Sequence, residues 1–390
     1  MEKVLALIGM VVIVGGAYLI SKHKKEINWI SVGCAFLGQI ILAFLMIKTP
    51  LWKVVELLSN GVTWILSQAN EGIEFVFGGL LGTGYVFILN SLMPIVFISA
   101  FMGILFHFGI IQWFVGSVAG LVAKALRVDK LVATNGITNM FLGQTDSLFV
   151  TKAYLPNAKD SAIFAMMVGG MTSISVSVVG LYASYGASME WILISMPLTV
   201  FSTFVMTQIL MPTTYSDEEL VIETTDKGCN FIETAMNYGQ AGFKTVIGIS
   251  VGLMVFLSML ALVNSILSKC VDGLTLQSLL GYVFKPFAYL MGVPSGDVTA
   301  VSEILATKFA TNEAVAFALP QFNQLGANAK AMMTVALCGF AGISSVGIQI
   351  AGFGAIAPNQ TKVVAKYGFY ALLTATFVNI LTGAVISLML

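Results

Sequence analysis

Two stretches decide how this chain folds: FLGQTDSLFV (141–150) and KFATNEAVAFAL (308–319). Each sets a carboxylate, Asp146 or Glu313, inside strongly apolar sequence. About two dozen residues later each is followed by a Gly/Ser-studded hydrophobic run, GGMTSISVSVVG (169–180) and CGFAGISSVG (338–347). An ionisable side chain at bilayer depth costs at least ~2.5 kcal/mol on insertion scales, so it faces a polar cavity and not lipid. The same polar-then-broken pattern in both halves points to a transporter built from two related repeats.

Composition places the chain in a membrane. It is 57% hydrophobic and 10% charged over 390 residues, with mean hydropathy +0.92, where a soluble protein carries roughly a quarter charged residues. Balanced charge, 19 basic against 19 acidic residues, gives no reason to expect nucleic acid as a partner. Cys34, Cys229, Cys270 and Cys338 show no CxxC pair or metal-ligand spacing and read as buried free thiols. VLALIGMVVIVGGAYLI lacks a strongly basic start and ends on the charged stop Ser21 to Glu26, so it reads as a retained helix.

Crossing ~30 Å of hydrocarbon takes about 20 apolar residues. Eight such spans are expected, near 4–21, 29–48, 84–108, 161–184, 190–211, 243–268, 330–355 and 366–389. Two further stretches, near 131–156 and 298–320, are interrupted by Gln144-Thr145-Asp146 and Asn312-Glu313. They read as re-entrant helical hairpins, because non-helical backbone at that depth survives only inside protein. SKHKKE, Lys124/Arg127/Lys130, Lys152/Lys159 and Lys362/Lys366 then all fall on one side, the cytoplasmic one. Both termini are external, hairpin one opens to the cytoplasm and hairpin two outward.

The expected fold is an all-α integral membrane protein: eight spans, two opposed hairpins and an inverted repeat. Residues 49–79, with Trp52 and Trp64 among mixed faces, read as interfacial helices. The acid-rich stretch SDEELVIETTDKG reads as a cytoplasmic loop leading into an amphipathic helix, NFIETAMNY. The expected division is 1–80 scaffold, 81–212 first repeat, 213–242 loop and amphipathic helix, and 243–390 second repeat. Trp29, Trp52, Trp64, Trp113 and Trp191 read as interfacial anchors, His107 as a packed histidine, and Asp297 as a helix cap near Glu303.

Gly and Ser at the density of 169–180 and 338–347 weaken a helix and free backbone carbonyls. In a broken membrane helix those carbonyls and hydroxyls can replace an ion's water shell, and half-helix ends attract anionic or dipolar groups. Taken alone, such residues equally permit close helix packing. Paired with a membrane carboxylate in each half, they favour a midplane site.

These residues carry a resemblance. GQTDSLF resembles the Gly-Gln-Thr/Ser-Glu signature in the first hairpin of concentrative nucleoside transporters. GVPSGD…LATKFATNEAVAFAL is similar to that family's second hairpin, and ALCGFAGISSVGIQIAGFGAIAP to its Cys-Gly-Phe-Ala-Asn-x-Ser-Ser-x-Gly-Ile-Gln-Ile helix. NFIETAM resembles the helix before its sixth span. The resemblance implies a homotrimeric, sodium-driven nucleoside symporter with no enzymatic cofactor. It implies that Gln144, Thr145 and Asp146 face the nucleobase with apolar contact from Val178 and Phe340, and that Asn312, Glu313 and Ser345 lie at the ribose. It maps sodium to the Asn139 and Ser173 side chains, with backbone oxygens near Leu142, Ser173 and Ile174.

The chain departs from the family pattern at four places. Asp146 replaces Glu, Ser147-Leu148 replaces Ala-Pro, Gly342 replaces Asn, and Asn-Glu-Ala-Val-Ala-Phe replaces Asn-Glu-Phe-Val-Ala-Tyr. Most of these remove bulk or reach, so a roomier pocket is expected, open to purine or modified nucleosides. Retained Asn139 and Ser173 favour sodium, and Asp146 or Glu313 could instead carry a proton. An intramembrane protease is the rival enzyme class, but a dyad needs both acids sharing one proton, and these sit on opposed hairpins. A channel or receptor would show flux without accumulation.

Overall fold

The computed structural model describes residues 1–81, 84–215, 220 and 230–390. Among them there is no β-strand, and the helices fall into a scaffold and two repeats. The acid-rich loop of 216–229, apart from Leu220, lies outside the described residues, as does Cys229.

The scaffold opens with α1 (Glu2–Ile20) and α2 (Trp29–Lys48). Asn28 caps α2 by accepting from the amides of Ile30 and Ser31. Next come α3 (Trp52–Leu81), α4 (Pro94–His107) and α5 (Ile110–Leu126). The first repeat is α6 (Lys130–Leu142), α7 (Asp146–Val150), α8 (Asp160–Thr172), α9 (Val179–Ser184) and α10 (Met189–Leu210). Two scaffold helices follow, α11 (Phe231–Cys270) and α12 (Leu276–Leu290). The second repeat is α13 (Val298–Ala310), α14 (Glu313–Phe317), α15 (Pro320–Gln324), α16 (Ala327–Leu337), α17 (Ile343–Ile356) and α18 (Thr361–Met389).

Element lengths make the repeat explicit. A 13-residue helix (α6, α13), a break and a 5-residue helix (α7, α14) occur in both halves. At 1.5 Å per residue the longer arm reaches only about 20 Å, short of a full crossing. A broken helix follows in each half, split at 173–175 in the first and 338–342 in the second. Asp146 and Glu313 both open their short helix, and α8 and α16 both begin 167 residues apart like them.

Side-chain contacts fix which ends meet. Asn359 and Gln360, ahead of α18, donate to the carbonyls of Pro156 (2.7 Å) and Ala158 (3.0 Å), in the turn after hairpin one. Asn323, after hairpin two, donates to the Tyr185 carbonyl (3.0 Å). Residues 158 and 185 are opposite ends of one broken helix, so the two hairpins enter from opposite ends of the bundle. Ser21 donates to the Ile209 carbonyl (2.7 Å) and Ser31 to the Arg127 carbonyl (3.2 Å), which places residues 21–31 at the same end as 158. Ser387 donates to the Gly292 carbonyl (3.3 Å), at the other end.

Several expectations change. Seven helical runs among the described residues are long and apolar enough to span; the eighth, expected at 330–355, exists as the halves α16 and α17. Residues 49–79 form one 30-residue helix, α3, and not several. NFIETAMNY is the first two turns of the 40-residue α11, continuous with the span after it. Helices α5 and α12 had no counterpart in the reading: at 17 and 15 residues both fall below spanning length. Cys338 is buried and Cys34 half-buried, but Cys270, at the end of α11, is exposed. Asp297 precedes α13 without capping it; its carboxylate accepts from the Gly326 amide (3.4 Å) in the turn after hairpin two. His107 packs as expected, on Phe108 and 2.9 Å from the Thr234 hydroxyl of α11.

Candidate functional site

A cavity of about 430 Å³ lies where both hairpin tips and both helix breaks converge. Gln144, Thr145, Asp146, Val178, Asn312, Glu313, Phe340 and Ser345, the substrate residues indicated by resemblance, all line it. The scaffold adds a further wall: Ser99 and Met102 of α4, with Tyr238, Thr245 and Phe256 along α11.

Hairpin one supplies its polar corner through a forced break. Gly143 adopts φ +86°, a conformation disfavoured for side-chain-bearing residues, and so ends α6. Gln144 then turns inward, 8% exposed, and its Oε1 accepts from Nε2 of Gln349 on α17 (3.1 Å). Thr145 donates to Asp146 (3.3 Å), whose carboxylate is the exposed member of this group.

Hairpin two is drier. Asn312 caps α14 through the Val315 amide (2.9 Å). Glu313 follows it, 7% exposed, and accepts from the Tyr182 hydroxyl of α9 at 3.0 Å. Tyr182 in turn stacks on Phe317, ring centroids 4.7 Å apart, which holds its hydroxyl in place. A charge-assisted bond from a fixed phenol leaves the other carboxylate oxygen for a ligand with hydroxyl donors. Ser345 donates to the Phe340 carbonyl across the second helix break.

Gly342 does not enlarge the cavity. A Cβ there would lie 2.5 Å from the Thr311 carbonyl oxygen and 3.0 Å from that of Lys308. Hairpin-two backbone occupies the room that a side chain would need, so this position contributes nothing to a roomier pocket.

The residues indicated for sodium lie beside the cavity. Leu142 lines it, whereas Asn139, Ser173 and Ile174 are buried behind it. Asn139 donates to Asn135 (3.1 Å) and accepts from Ser147 (2.5 Å), so its carbonyl oxygen keeps one lone pair. Ser173 donates to the Gly169 carbonyl (2.9 Å). The chain turns away after Leu142 and Ser173, and helix ends leave carbonyls without helical partners. An all-oxygen, neutral donor set of this kind fits a hard monovalent cation. Among the described residues no cluster of His, Cys, Asp or Glu could hold a metal ion.

Sequence matches agree with this geometry. Residues 191–387 match the model for the C-terminus of the Na+ dependent nucleoside transporters, and residues 8–80 match its N-terminus. Residues 88–189 match a model described as nucleoside recognition. The chain belongs to the concentrative nucleoside transporter family. Membership makes it a multi-pass membrane transporter and not an enzyme. Among relatives, the purine nucleoside transport protein NupG of Bacillus subtilis is 30% identical, covering 100% of this chain and 99% of that protein. The nucleoside permease NupC of Helicobacter pylori is 28% identical, covering 99% and 98%. The solved structure of the transporter CNTnw in an inward-facing substrate-bound state superposes with TM-score 0.94 at 28% identity, covering 100% of this chain and 98% of that one.

In and around the cavity, Tyr182, Gln349 and Lys308 carry no role in the expectations from sequence. Each is a polar residue in an apolar helix, and that was the available signal. Lys308 stands inside the quoted hairpin-two motif, yet it is 4% exposed and donates to the Ala336 carbonyl (2.7 Å).

Proposed function

We propose that this chain imports nucleosides across the cell membrane by sodium symport, alternating access around the cavity between its two repeats. One observation carries the reading: a single 430 Å³ cavity collects both hairpin tips and both helix breaks. That volume suits a small heterocycle bearing a sugar. The base would meet Gln144, Thr145 and Asp146, whose amide, hydroxyl and carboxylate offer both donors and acceptors. Val178 and Phe340 would flank it. The ribose would meet Asn312, Glu313 and Ser345, with Glu313 oriented by Tyr182. Sodium would sit at Asn139 and Ser173 with carbonyls near Leu142, Ser173 and Ile174, and neutral ligands would let it leave again.

Positive charge supports an orientation. Lys124, Arg127, Lys159 and Lys362 lie near the end that also holds residues 21–31, so that end is proposed as cytoplasmic and both termini as external. The division expected from sequence, 81–212 and 243–390, is proposed in the narrower form 130–210 and 298–389, with α4, α5, α11 and α12 in the scaffold. A homotrimer in the bilayer is proposed from the resemblance; the apolar face of α11, with Met254, Leu262 and Ile266 exposed in the single chain, offers surface for lipid or a second copy.

Uptake of labelled nucleoside into proteoliposomes, with sodium removed at fixed pH, tests the coupling. Collapse of concentrative uptake is expected. Unchanged accumulation would reject sodium and turn attention to a proton, and accumulation of nucleobases alone would reject the ribose assignment.

A further inference from the structure

The two repeats enclose matching small gaps behind the cavity, each about 10 Å³. The first lies among α6, α8 and α10, against Asn135, Gly169, Ser173 and Thr203. The second lies among α13, α16 and α18, against Lys308, Ala336 and Asn379. The correspondence is close: Gly169 is the tenth residue of α8 and Ala336 the tenth of α16. Asn139, the tenth residue of α6, and Lys308, the eleventh of α13, both come from the last turn of the hairpin's longer helix without being positional equivalents. In the first gap the Gly169 carbonyl accepts from the Ser173 hydroxyl, a neutral donor. In the second, the Ala336 carbonyl accepts from the Lys308 ammonium at 2.7 Å. Asn379 beside it is 2% exposed, and neither its Oδ1 nor its Nδ2 has a hydrogen-bond partner among the described residues.

We propose that the Lys308 ammonium is a built-in cation, standing in the second repeat where the first repeat takes its exchangeable sodium. This rests on the sodium reading of Asn139 and Ser173. A buried ammonium at the C-terminal end of α16 meets carbonyls that lack helical partners and the negative end of the helix dipole. An inverted repeat would otherwise offer two equivalent cation sites. Lys308 closes one of them, so the two repeats together bind one exchangeable cation per nucleoside. Removing the side chain should leave the Ala336 carbonyl and the Asn379 amide as ligands for a small cation from solution.

The test is thermal unfolding of the purified full-length protein at constant sodium. Lys308→Ala is expected to melt lower by on the order of 5 °C, as for a buried charged hydrogen-bond donor removed from a backbone carbonyl. Added methylammonium should recover about half of that loss, while N-methylglucamine, too large for the gap, should recover none. Wild type should respond to neither. A Lys308→Ala protein that melts with wild type, or that ignores methylammonium, overturns the proposal; Lys308→Ser, which also vacates the gap, is read the same way if the alanine variant does not purify. Reversal potentials of wild-type proteoliposomes give a separate reading, with one sodium per nucleoside expected and two overturning it. Wild-type uptake indifferent to sodium would sink the sodium assignment instead, and the melting measurements would still judge Lys308.

Discussion

Asp146 and Glu313 open equivalent five-residue helices, yet their surroundings differ. Asp146 is exposed beside Thr145, whereas Glu313 is 7% exposed and held by Tyr182. Behind them the first repeat presents Asn139 and Ser173, both neutral, and the second presents the ammonium of Lys308. One backbone plan thus carries an open, adaptable half and a dry, charged half. A symmetric scaffold can move as two matched units, and in the proposed function the unequal side chains decide which part of a solute each half grips.

The sharpest way to break this comparison is to neutralise each acid in turn. Glu313→Gln is expected to lower kcat/KM for uptake by about 100-fold, since two charge-assisted bonds to a buried carboxylate are lost. Asp146→Asn should cost only about tenfold, because water screens an exposed carboxylate and the amide keeps an acceptor. Equal losses in the two variants would mean that burial does not separate their roles.

A second comparison concerns the helix breaks. Gly342→Ala drives a Cβ against the Thr311 carbonyl oxygen, 2.5 Å away, and should destabilise the protein by about 2 kcal/mol. Gly347→Ala, five residues on in α17, meets nothing within 4 Å and should change stability by no more than about 0.5 kcal/mol. Melting temperatures of the two purified variants decide it. A tolerated alanine at 342 would show that hairpin two can back away from the break, and the closed wall described there would fail.

The sequence was legible wherever a polar group interrupts an apolar run. Asp146, Glu313 and the Gly/Ser stretches located both hairpins and both breaks, because the oil around them makes each interruption costly. Seven long spans were visible for the same reason, whereas α5 and α12 escaped because a 15–17-residue amphipathic segment resembles neither a span nor a loop. The partners inside the site were not legible. Tyr182 meets Glu313 across 131 positions and Gln349 meets Gln144 across 205, and no local periodicity encodes such pairings. Gly342 misled in the other direction: a missing side chain suggests space, and only packing reveals that neighbouring backbone has filled it.

Tyr182→Phe sharpens the dry half. The variant keeps the ring stacked on Phe317 and removes one hydrogen bond to a carboxylate, about 1.5 kcal/mol or roughly tenfold in KM. The loss should be the same for purine and pyrimidine nucleosides, since every ribose presents the same hydroxyls. Competition assays that show a base-dependent loss would move Glu313 away from the sugar.

Gln349→Leu is expected to have the smallest effect on transport and to separate the halves most cleanly. Gln349 belongs to the second repeat but donates to Gln144 of the first, so it links the repeats from behind the cavity wall. Leucine keeps most of the volume and abolishes the donor, freeing the Gln144 amide to rotate. The expected cost is about 1 kcal/mol, near fivefold in KM, because one neutral hydrogen bond is lost and Gln144 can find water in the cavity. Unlike Tyr182→Phe, this change should redistribute preference among bases, since a rotated amide exchanges donor for acceptor at the heterocycle's edge. A uniform fivefold loss for all bases would show that Gln144 acts only through packing. An altered ranking with an unaltered melting temperature would place base discrimination in an amide whose orientation is set from the opposite repeat.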